Sequence, residues 1–413
     1  MQGVAALPAP THVTGQPHSG PDPAISHHDA GRRQSRYAVG PGQSSREGSA
    51  DRRDVPVLRS DRKGGAKRVN LARGPTAASV PGVKPLARLR PERQASVVTG
   101  PPAEGSRVDW ADVPGQVRAE IERACGARVV EAVTAPGGFS PGLAARIVCA
   151  DGRRWFVKAA SGQVNPDTLR LHRQEARILG ELDPLIRSGR LPAPRLRATV
   201  EHGSWFALIL DDIDGRHPAL PWEDRQVGQV LGALDRLADV LTPAPITAPA
   251  IAQYLGADFT GWRTLAQARG DERLDPWSCA RLADLAAVEA TWAAHAGGTT
   301  LLHADIRADN VLLTGGGVVV VDWPHACRGA AFVDVVLLAP SVAMQGGPQP
   351  ADLLTRSRAG RSATRADLTA TVCALAGYFT ERSLRPPPPG LPTVRAFQAA
   401  QGEVTRRWLA QLL

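Results

Sequence analysis

Lysine is almost absent from the greater part of this chain. In residues 106–413 it occurs once, as Lys158, and every other cationic side chain there is arginine. Asparagine is nearly as scarce, with Asn165 and Asn310 alone after residue 105. Cysteine is limited to Cys125, Cys149, Cys279, Cys327 and Cys373. These are far apart, odd in number and without CxxC or Cys/His spacing, which excludes a disulfide framework and a zinc site. They read as reduced core thiols of a cytoplasmic protein. No apolar run approaches the roughly 18 residues of a membrane span. The first 30 residues lack both a basic start and an apolar stretch, so no secretory signal is expected. A hydrophobic fraction of 43% with 22% charged residues fits a soluble globular chain, and 413 residues suit two domains or one large one with an appendage.

A net charge of +9 raises the question of a nucleic-acid partner, but the charge is unevenly placed. Residues 1–105 hold 16 Lys and Arg against 8 Asp and Glu, whereas residues 106–413 hold 33 against 32. The basic excess belongs to a first quarter rich in Pro, Gly, Ser, Ala and Arg, without sustained apolar periodicity. Such a stretch buries too little apolar surface to offset its ordering entropy and is expected to be a disordered tail. Beyond weak electrostatic contacts by that tail, nucleic-acid binding is not expected, since no DNA-reading motif follows.

Order is expected from about residue 106. In "RVDWADVPGQVRAEIERACG", Asp112 stands where it caps a helix with Pro114 in the first turn and Val117, Ile121 and Ala124 on one face. Two β-like runs, Ala144–Cys149 and Trp155–Ala159, flank "ADGR", whose Asp-Gly signals a hairpin. A Gly- and Pro-rich loop, Gly137 to Gly142, precedes them. "DTLRLHRQEARILGEL" has the period of an amphipathic helix, with Leu171, Ile178 and Leu182 on one side. "PRLRATVEHGSWFALILDDIDG" supplies two more strands around His202–Gly203. From about 223 to 298 the pattern is helical, and a last helix spans about 393–412, with Val394, Phe397, Val404, Trp408 and Leu412 at helical spacing. The expectation is an α+β chain: a small β-rich lobe over 106–210 and a larger, mostly helical lobe over 211–413.

Between two apolar runs lies "HADIRADN", residues 303–310, followed by "VLLTGGGVVVVDW". So many polar groups in a core segment need specific partners. The pattern is loop, strand, tight turn, strand, so Asp322 at the end of the second strand returns beside Asp305 and Asn310. Two carboxylates and an amide carbonyl are hard oxygen donors suited to Mg²⁺, which keeps phosphate oxygens and water for its remaining positions. A carboxylate not used on the metal can orient a hydroxyl and take its proton. With a glycine loop, this is the equipment of phosphoryl transfer, which rests on positioning and charge neutralisation. Lys158, kept in mid-strand where arginine is the rule, fits a compact ammonium for the phosphates. Glu175 on the following helix is its candidate carboxylate partner. Ser140 at the loop tip either donates to a phosphate or belongs to the turn.

The ordered set His303, Asp305, Asn310 and Asp322 resembles the His-x-Asp-x4-Asn signature and later metal-binding Asp of the aminoglycoside phosphotransferase-like kinases, a branch of the protein-kinase-like fold. The resemblance covers roughly 130 to 413. It implies a bilobal fold, ATP and Mg²⁺ as cofactors, Asp305 as the catalytic residue, and Asn310 and Asp322 as metal ligands. It also implies nucleotide binding by Gly137, Gly138, Ser140, Gly142, Lys158 and Glu175, with Asp211 at the adenine in the hinge "LILDDIDG". Asp334, in "GAAFVDVV", would brace the catalytic loop. The departures are "GGFSPG" in place of Gly-x-Gly-x-x-Gly, "DWP" in place of Asp-Phe-Gly, and no Ala-Pro-Glu. They speak against a protein substrate.

The function so implied is ATP-dependent transfer of a γ-phosphate to a hydroxyl of a small-molecule acceptor. Residues 211–298 hold 13 acids and 7 arginines, which points to a cationic acceptor such as an aminoglycoside-like amino sugar or an amino alcohol. Trp222, Trp262 and Trp292 either line an acceptor pocket or pack helices. Arg307 either neutralises transferred charge or pairs with a nearby acid, and His303 is expected to be a structural loop histidine. A non-catalytic nucleotide-binding regulator of the same fold is the alternative.

Overall fold

The computed structural model describes Pro101 and residues 105–139, 141–268 and 271–413. The expectation of a disordered tail falls almost wholly outside the described residues. Helix α1 (Gly115–Cys125) comes first, and Asp112 does not cap it: Asp112 lies in a separate 3-10 turn and Pro114 occupies the cap position. Its buried face is Val117, Ile121 and Cys125, one helical turn apart, while Ala124 is exposed.

Five strands form an antiparallel sheet of order β1-β2-β3-β5-β4: β1 (Val129–Thr134), β2 (Leu143–Cys149), β3 (Arg154–Ser161), β4 (Leu196–His202) and β5 (Trp205–Asp211). The β2–β3 turn forms at Asp151-Gly152. Gly152 takes φ 83° and the Asp151 carboxylate accepts the Arg153 N–H at 3.0 Å. In β5, Phe206, Leu208 and Leu210 join the core shared with the helices, whereas Ala207 and Ile209 join a second core with Val117 and Ile121 of α1. A strand covered on both faces reads as a continuous apolar run, which is why "FALIL" shows no alternation. Each such fully buried aliphatic side chain contributes roughly 1.5–3 kcal/mol. Strand β1 is an edge strand of half-buried residues and was not among the sequence expectations.

Helix α2 (Pro166–Arg187) starts where Asn165 accepts the Thr168 N–H at 2.8 Å and Pro166 opens the first turn. It buries Leu171, Ile178 and Leu182, and with them the carboxylate of Glu175. The helical part begins with α3 (Asp224–Val240), α4 (Ile251–Leu255), α5 (Gly261–Gln267), α6 (Pro276–Ala280), α7 (Leu282–Glu289) and α8 (Trp292–His295). Four short strands follow: β6 (Thr300–Leu302), β7 (Val311–Thr314), β8 (Gly317–Val320) and β9 (Cys327–Gly329). The chain then runs through α9 (Phe332–Met344), α10 (Pro350–Arg356), α11 (Arg358–Arg361), α12 (Arg365–Ser383) and α13 (Val394–Leu412). Helices α9 and α12 are buried nearly all round and form the centre of this part.

The β6–β9 pair and the β7–β8 hairpin position the polar island. Loop 303–310 joins β6 to β7, and segment 321–326 joins β8 to β9. The three tryptophans pack helices. Trp262 Nε1 donates to the Cys373 carbonyl at 2.9 Å, Trp222 Nε1 donates to Gln345 Oε1 at 3.0 Å, and Trp292 meets Phe259 edge-on at 4.9 Å. All five cysteines are free. No helix among the described residues is long and apolar enough to cross a membrane.

Candidate active site

The loop 303–310 is held from below by Asp334 at the start of α9. Its carboxylate accepts the N–H groups of His303 (2.9 Å) and Ala304 (2.8 Å). These bonds support Ala304 in the left-handed region, φ 61°, which a residue with a Cβ rarely occupies. Burial pushes the Asp334 carboxyl up to about 6, against the effect of the two N–H donors. His303 Nε2 faces the Val321 carbonyl at 3.0 Å, and its Nδ1 takes the Asp305 N–H at 3.2 Å. A carbonyl only accepts and an N–H only donates, so the ring is the Nε2–H tautomer with both nitrogens used. Burial lowers its pKa to about 4. His303 is thus the structural histidine its position suggests.

Asn310 Nδ2 donates to the main-chain oxygen of Asp305 (2.8 Å) and to its Oδ2 (3.1 Å). That fixes the amide and leaves Asn310 Oδ1 as its remaining acceptor. Arg307 makes a two-pronged bond to Asp309 (3.0 and 2.8 Å), and its Nε lies 3.9 Å from Asp305 Oδ1. Its guanidinium also sits against Phe139 (5.5 Å) and Phe397 of α13 (5.9 Å). Burial works against the Arg307 charge, but Asp305 and Asp309 outweigh it and hold the group protonated.

Lys158 in β3 donates to both oxygens of Glu175 (2.9 and 2.8 Å) and to Asp322 Oδ1 (2.8 Å). Burial disfavours its charge, yet the carboxylates of Asp322 and Glu175 raise its pKa above the ordinary lysine value. Burial likewise opposes the Asp322 charge, but the Lys158 ammonium keeps that carboxyl well below the usual range. Asp322 itself has φ 70°, a second strained non-glycine residue in the same place.

A cavity of about 370 Å³ opens between the glycine loop, the sheet and the catalytic loop. It brings together Gly137, Gly138, Lys158, Asp211, Asn310 and Asp322. Glu175 stands behind Lys158. Gly142 is not in the cavity wall: with φ 135°, and with Ala159 O only 2.5 Å from where a Cβ would stand, it serves the loop's conformation. Ser140 lies outside the described residues. The Asp211 N–H is engaged by the Arg195 carbonyl at 3.1 Å and its carboxylate by Arg197, so that N–H is no donor for a bound base. Asp305 is fully buried and does not reach the cavity wall.

Other residues enter the cavity that the sequence did not single out, Arg107, Phe139 and His172, together with Asp309, which reads from the sequence as a solvated or turn residue. A phenylalanine in a Pro/Gly loop was the available signal for Phe139. None existed for Arg107, which reaches the site through a parallel bridge to Gly142. The acid excess of residues 211–298 meets a different fate from the one expected. Asp212 pairs with Arg146 and Arg154, Asp224 with Arg356, Asp239 with Arg358, Asp258 with Arg382, Asp275 with Arg406 and Glu289 with Arg263. Nearly all these arginines lie outside that window, so its net charge is no measure of a field left for a cationic acceptor.

Among the described residues, no group of three or more His, Cys, Asp and Glu is arranged to hold a metal. The donor set at the cavity's inner end is instead an amide oxygen and a carboxylate, Asn310 Oδ1 and Asp322. That set fits Mg²⁺, which binds through one or two protein groups with phosphate and water completing its shell.

Residues 135–368, more than half of the chain, match the family described as the phosphotransferase enzyme family. Among solved structures, an aminoglycoside phosphotransferase from Alicyclobacillus acidocaldarius is similar at 16% identity, covering 73% of this chain and 95% of that one, with a TM-score of 0.45. The aminoglycoside phosphotransferase APH(4)-Ia, in a ternary complex with AMP-PNP and hygromycin B, is 17% identical over 71% of this chain and 98% of that one, TM-score 0.49. A fructosamine-3-kinase homologue from Haemophilus somnus is 13% identical over 72% and 96%, TM-score 0.46. No curated protein matches the sequence significantly.

Proposed function

The chain belongs to the phosphotransferase enzyme family, and from that premise we propose that it is a small-molecule kinase, moving the γ-phosphate of Mg-ATP to a hydroxyl of its acceptor. One observation carries the reading: a single cavity gathers the glycine loop, Lys158, Asn310 and Asp322, with Asp305 directly behind Asn310. In this reading the β-rich lobe, 106–210, holds the nucleotide against the helical lobe, 211–413. Lys158 and the main chain of Gly137 and Gly138 hold phosphate oxygens. Asn310 Oδ1 and Asp322 hold Mg²⁺, which when bound neutralises charge on the phosphates. Asp305 orients the acceptor hydroxyl and takes its proton. Glu175 keeps Lys158 charged and in place.

The burial of Asp305 has a consequence. Buried outside the cavity wall, Asp305 meets an acceptor only after a local rearrangement of the loop that carries it. The same burial favours a second reading, a nucleotide-binding regulator that does not turn over. The discriminating experiment is Mg²⁺-dependent ADP release by the full chain across amino sugars, amino alcohols and neutral sugars, with Asp305→Asn beside it. The substitution keeps an oxygen for Asn310 while removing the base. The kinase reading expects acceptor-stimulated release that falls at least about a hundredfold in the variant, with Mg-ATP affinity nearly unchanged. Stimulated release at the wild-type rate in Asp305→Asn would refute the assignment, and tight Mg-ATP binding without stimulation by any acceptor would favour the regulator.

A further inference from the structure

Helix α2 turns one polar side chain into the cavity that none of the roles above employs. His172 lies one helical turn before Glu175, and residues so spaced share a face of the helix. Glu175 meets Lys158 of β3 at 2.9 and 2.8 Å, so the same face carries His172 toward the Lys158 end of the cavity. The two ends are set out along β3. Phe156 pairs with Leu210 beside the hinge, and Lys158, two residues on, bonds to Asp322. His172 belongs to the second end, where Lys158, Asp322 and Arg107 all act on its ring. It is only 5% exposed and lines the cavity.

Its two ring nitrogens have different surroundings. Nδ1 is buried and meets no hydrogen-bonding partner. Proteins seldom bury an N–H without an acceptor, whereas an acceptor short of a donor is less rare. The proton therefore belongs on Nε2 and the lone pair on Nδ1. Nε2, not closed off in this way, is the nitrogen left to face the cavity. Burial first, and then the Lys158 ammonium, lower the pKa to about 3, with Asp322 acting the other way, so the ring stays neutral and keeps this one proton. The result is a single uncharged donor whose lone pair is turned away. Such a nitrogen does not ligate Mg²⁺; what it satisfies is an oxygen acceptor. Phosphate oxygens are the acceptors a nucleotide brings to the Lys158 end, and a bond to an ionised oxygen is among the stronger kinds.

We propose that His172 is a phosphate-binding residue, donating its Nε2–H to an oxygen of the nucleotide's phosphate chain alongside Lys158. The inference rests on the kinase reading's assignment of this cavity to a nucleotide. It makes the affinity contributed by His172 depend on a hydrogen-bond donor at that position and on the phosphates, not on the base. The test is equilibrium binding of ATP and adenosine, each with Mg²⁺, to the full chain and to His172→Leu and His172→Gln. Leucine fills a similar volume and cannot donate. The glutamine amide places an N–H close to where the Nε2–H stands.

His172→Leu is expected to weaken ATP by roughly ten- to a hundredfold, the usual loss of a hydrogen bond to a charged group, and to leave adenosine unchanged. His172→Gln should keep most of the ATP affinity. A leucine variant that binds ATP as well as the glutamine variant, or better, is the outcome for a histidine that only packs, and the proposal would fall. Equal weakening of ATP and adenosine would also overturn it, because His172 would then shape the cavity without touching phosphate. If the wild-type chain bound neither adenosine nor ATP, the nucleotide assignment of the cavity would fall first and take this inference with it. Adenosine binding in every variant serves as the check that the cavity is still folded.

Discussion

Acid should loosen this fold well before pH 4, and the size of the effect follows from which buried groups must take up or lose protons. Three buried histidines are held neutral by desolvation: His303 at about 4, His172 at about 3 and His325 at about 3, against an ordinary value of 6.5. A base whose folded pKa is depressed contributes stability above its unfolded pKa, and that contribution is lost as pH falls below it. Four carboxyls act in the opposite sense: burial raises Asp334 and Asp258 to about 6 from 3.8, and raises Glu175 and Glu289 above their ordinary 4.5. The contribution of each is complete below its unfolded pKa and is lost as pH rises through the folded one, so acidification restores it. Between pH 7 and 5 each histidine costs about 2 kcal/mol and Asp334 and Asp258 each return about 1.3 kcal/mol, a loss of about 3 kcal/mol that Glu175 and Glu289 reduce further. Against a total stability of roughly 5–15 kcal/mol, such a loss is easily measured. Urea unfolding of the nucleotide-free chain at pH 7, 6 and 5 reads it directly. His172→Leu removes one of the three protons and should make the loss about 2 kcal/mol smaller than in the wild type. A His172→Leu profile parallel to wild type would refute the reasoning.

Two further outcomes follow from the same network. Asp334→Asn leaves one of the two N–H groups of His303 and Ala304 facing an amide donor, with an expected cost of about 1–3 kcal/mol in urea unfolding. Acceptor-stimulated ADP release should fall with it, since the loop carrying Asp305 loses its support. Glu175→Gln removes one of the two carboxylates on a buried ammonium; about 3 kcal/mol of stability should be lost, the lower end for breaking a buried pair, because Asp322 remains. A loss below about 0.5 kcal/mol would place the whole ion pair on Asp322 alone.

Much of the architecture was legible because its signals are local. Asp151-Gly152 specifies its own hairpin, and the spacing of Leu171, Ile178 and Leu182 marks α2. The His303 to Asn310 spacing, together with Asp322 at the end of the β7–β8 hairpin, was enough to assemble the inner end of the cavity. What escaped depends on partners distant in sequence. Strand β1, "VVEAVT", lies at the sheet edge, half-buried on both faces, so neither alternation nor a continuous apolar run marks it. The surplus acids of residues 211–298 have their arginines as far away as Arg356 and Arg358, more than a hundred residues on. Arg107 is one arginine among many until the bridge to Gly142 brings it into the cavity wall. The sequence pattern showed which side chains were unusual for their setting, and it missed those whose importance lies in what they are folded against.

The clamp on Lys158 has a consequence for the chemical reactivity of the protein. Acylating and carbamylating agents attack neutral amines, and lysines that serve as nucleophiles do so because their surroundings depress the pKa. Here two carboxylates do the reverse, keeping the one side-chain amine of residues 106–413 protonated. From Ser106 onward the folded chain therefore presents no nucleophilic amine to an electrophile. The arrangement that suits Lys158 to phosphate also shields it, and acylation of Lys158 becomes a direct report that its clamp has opened.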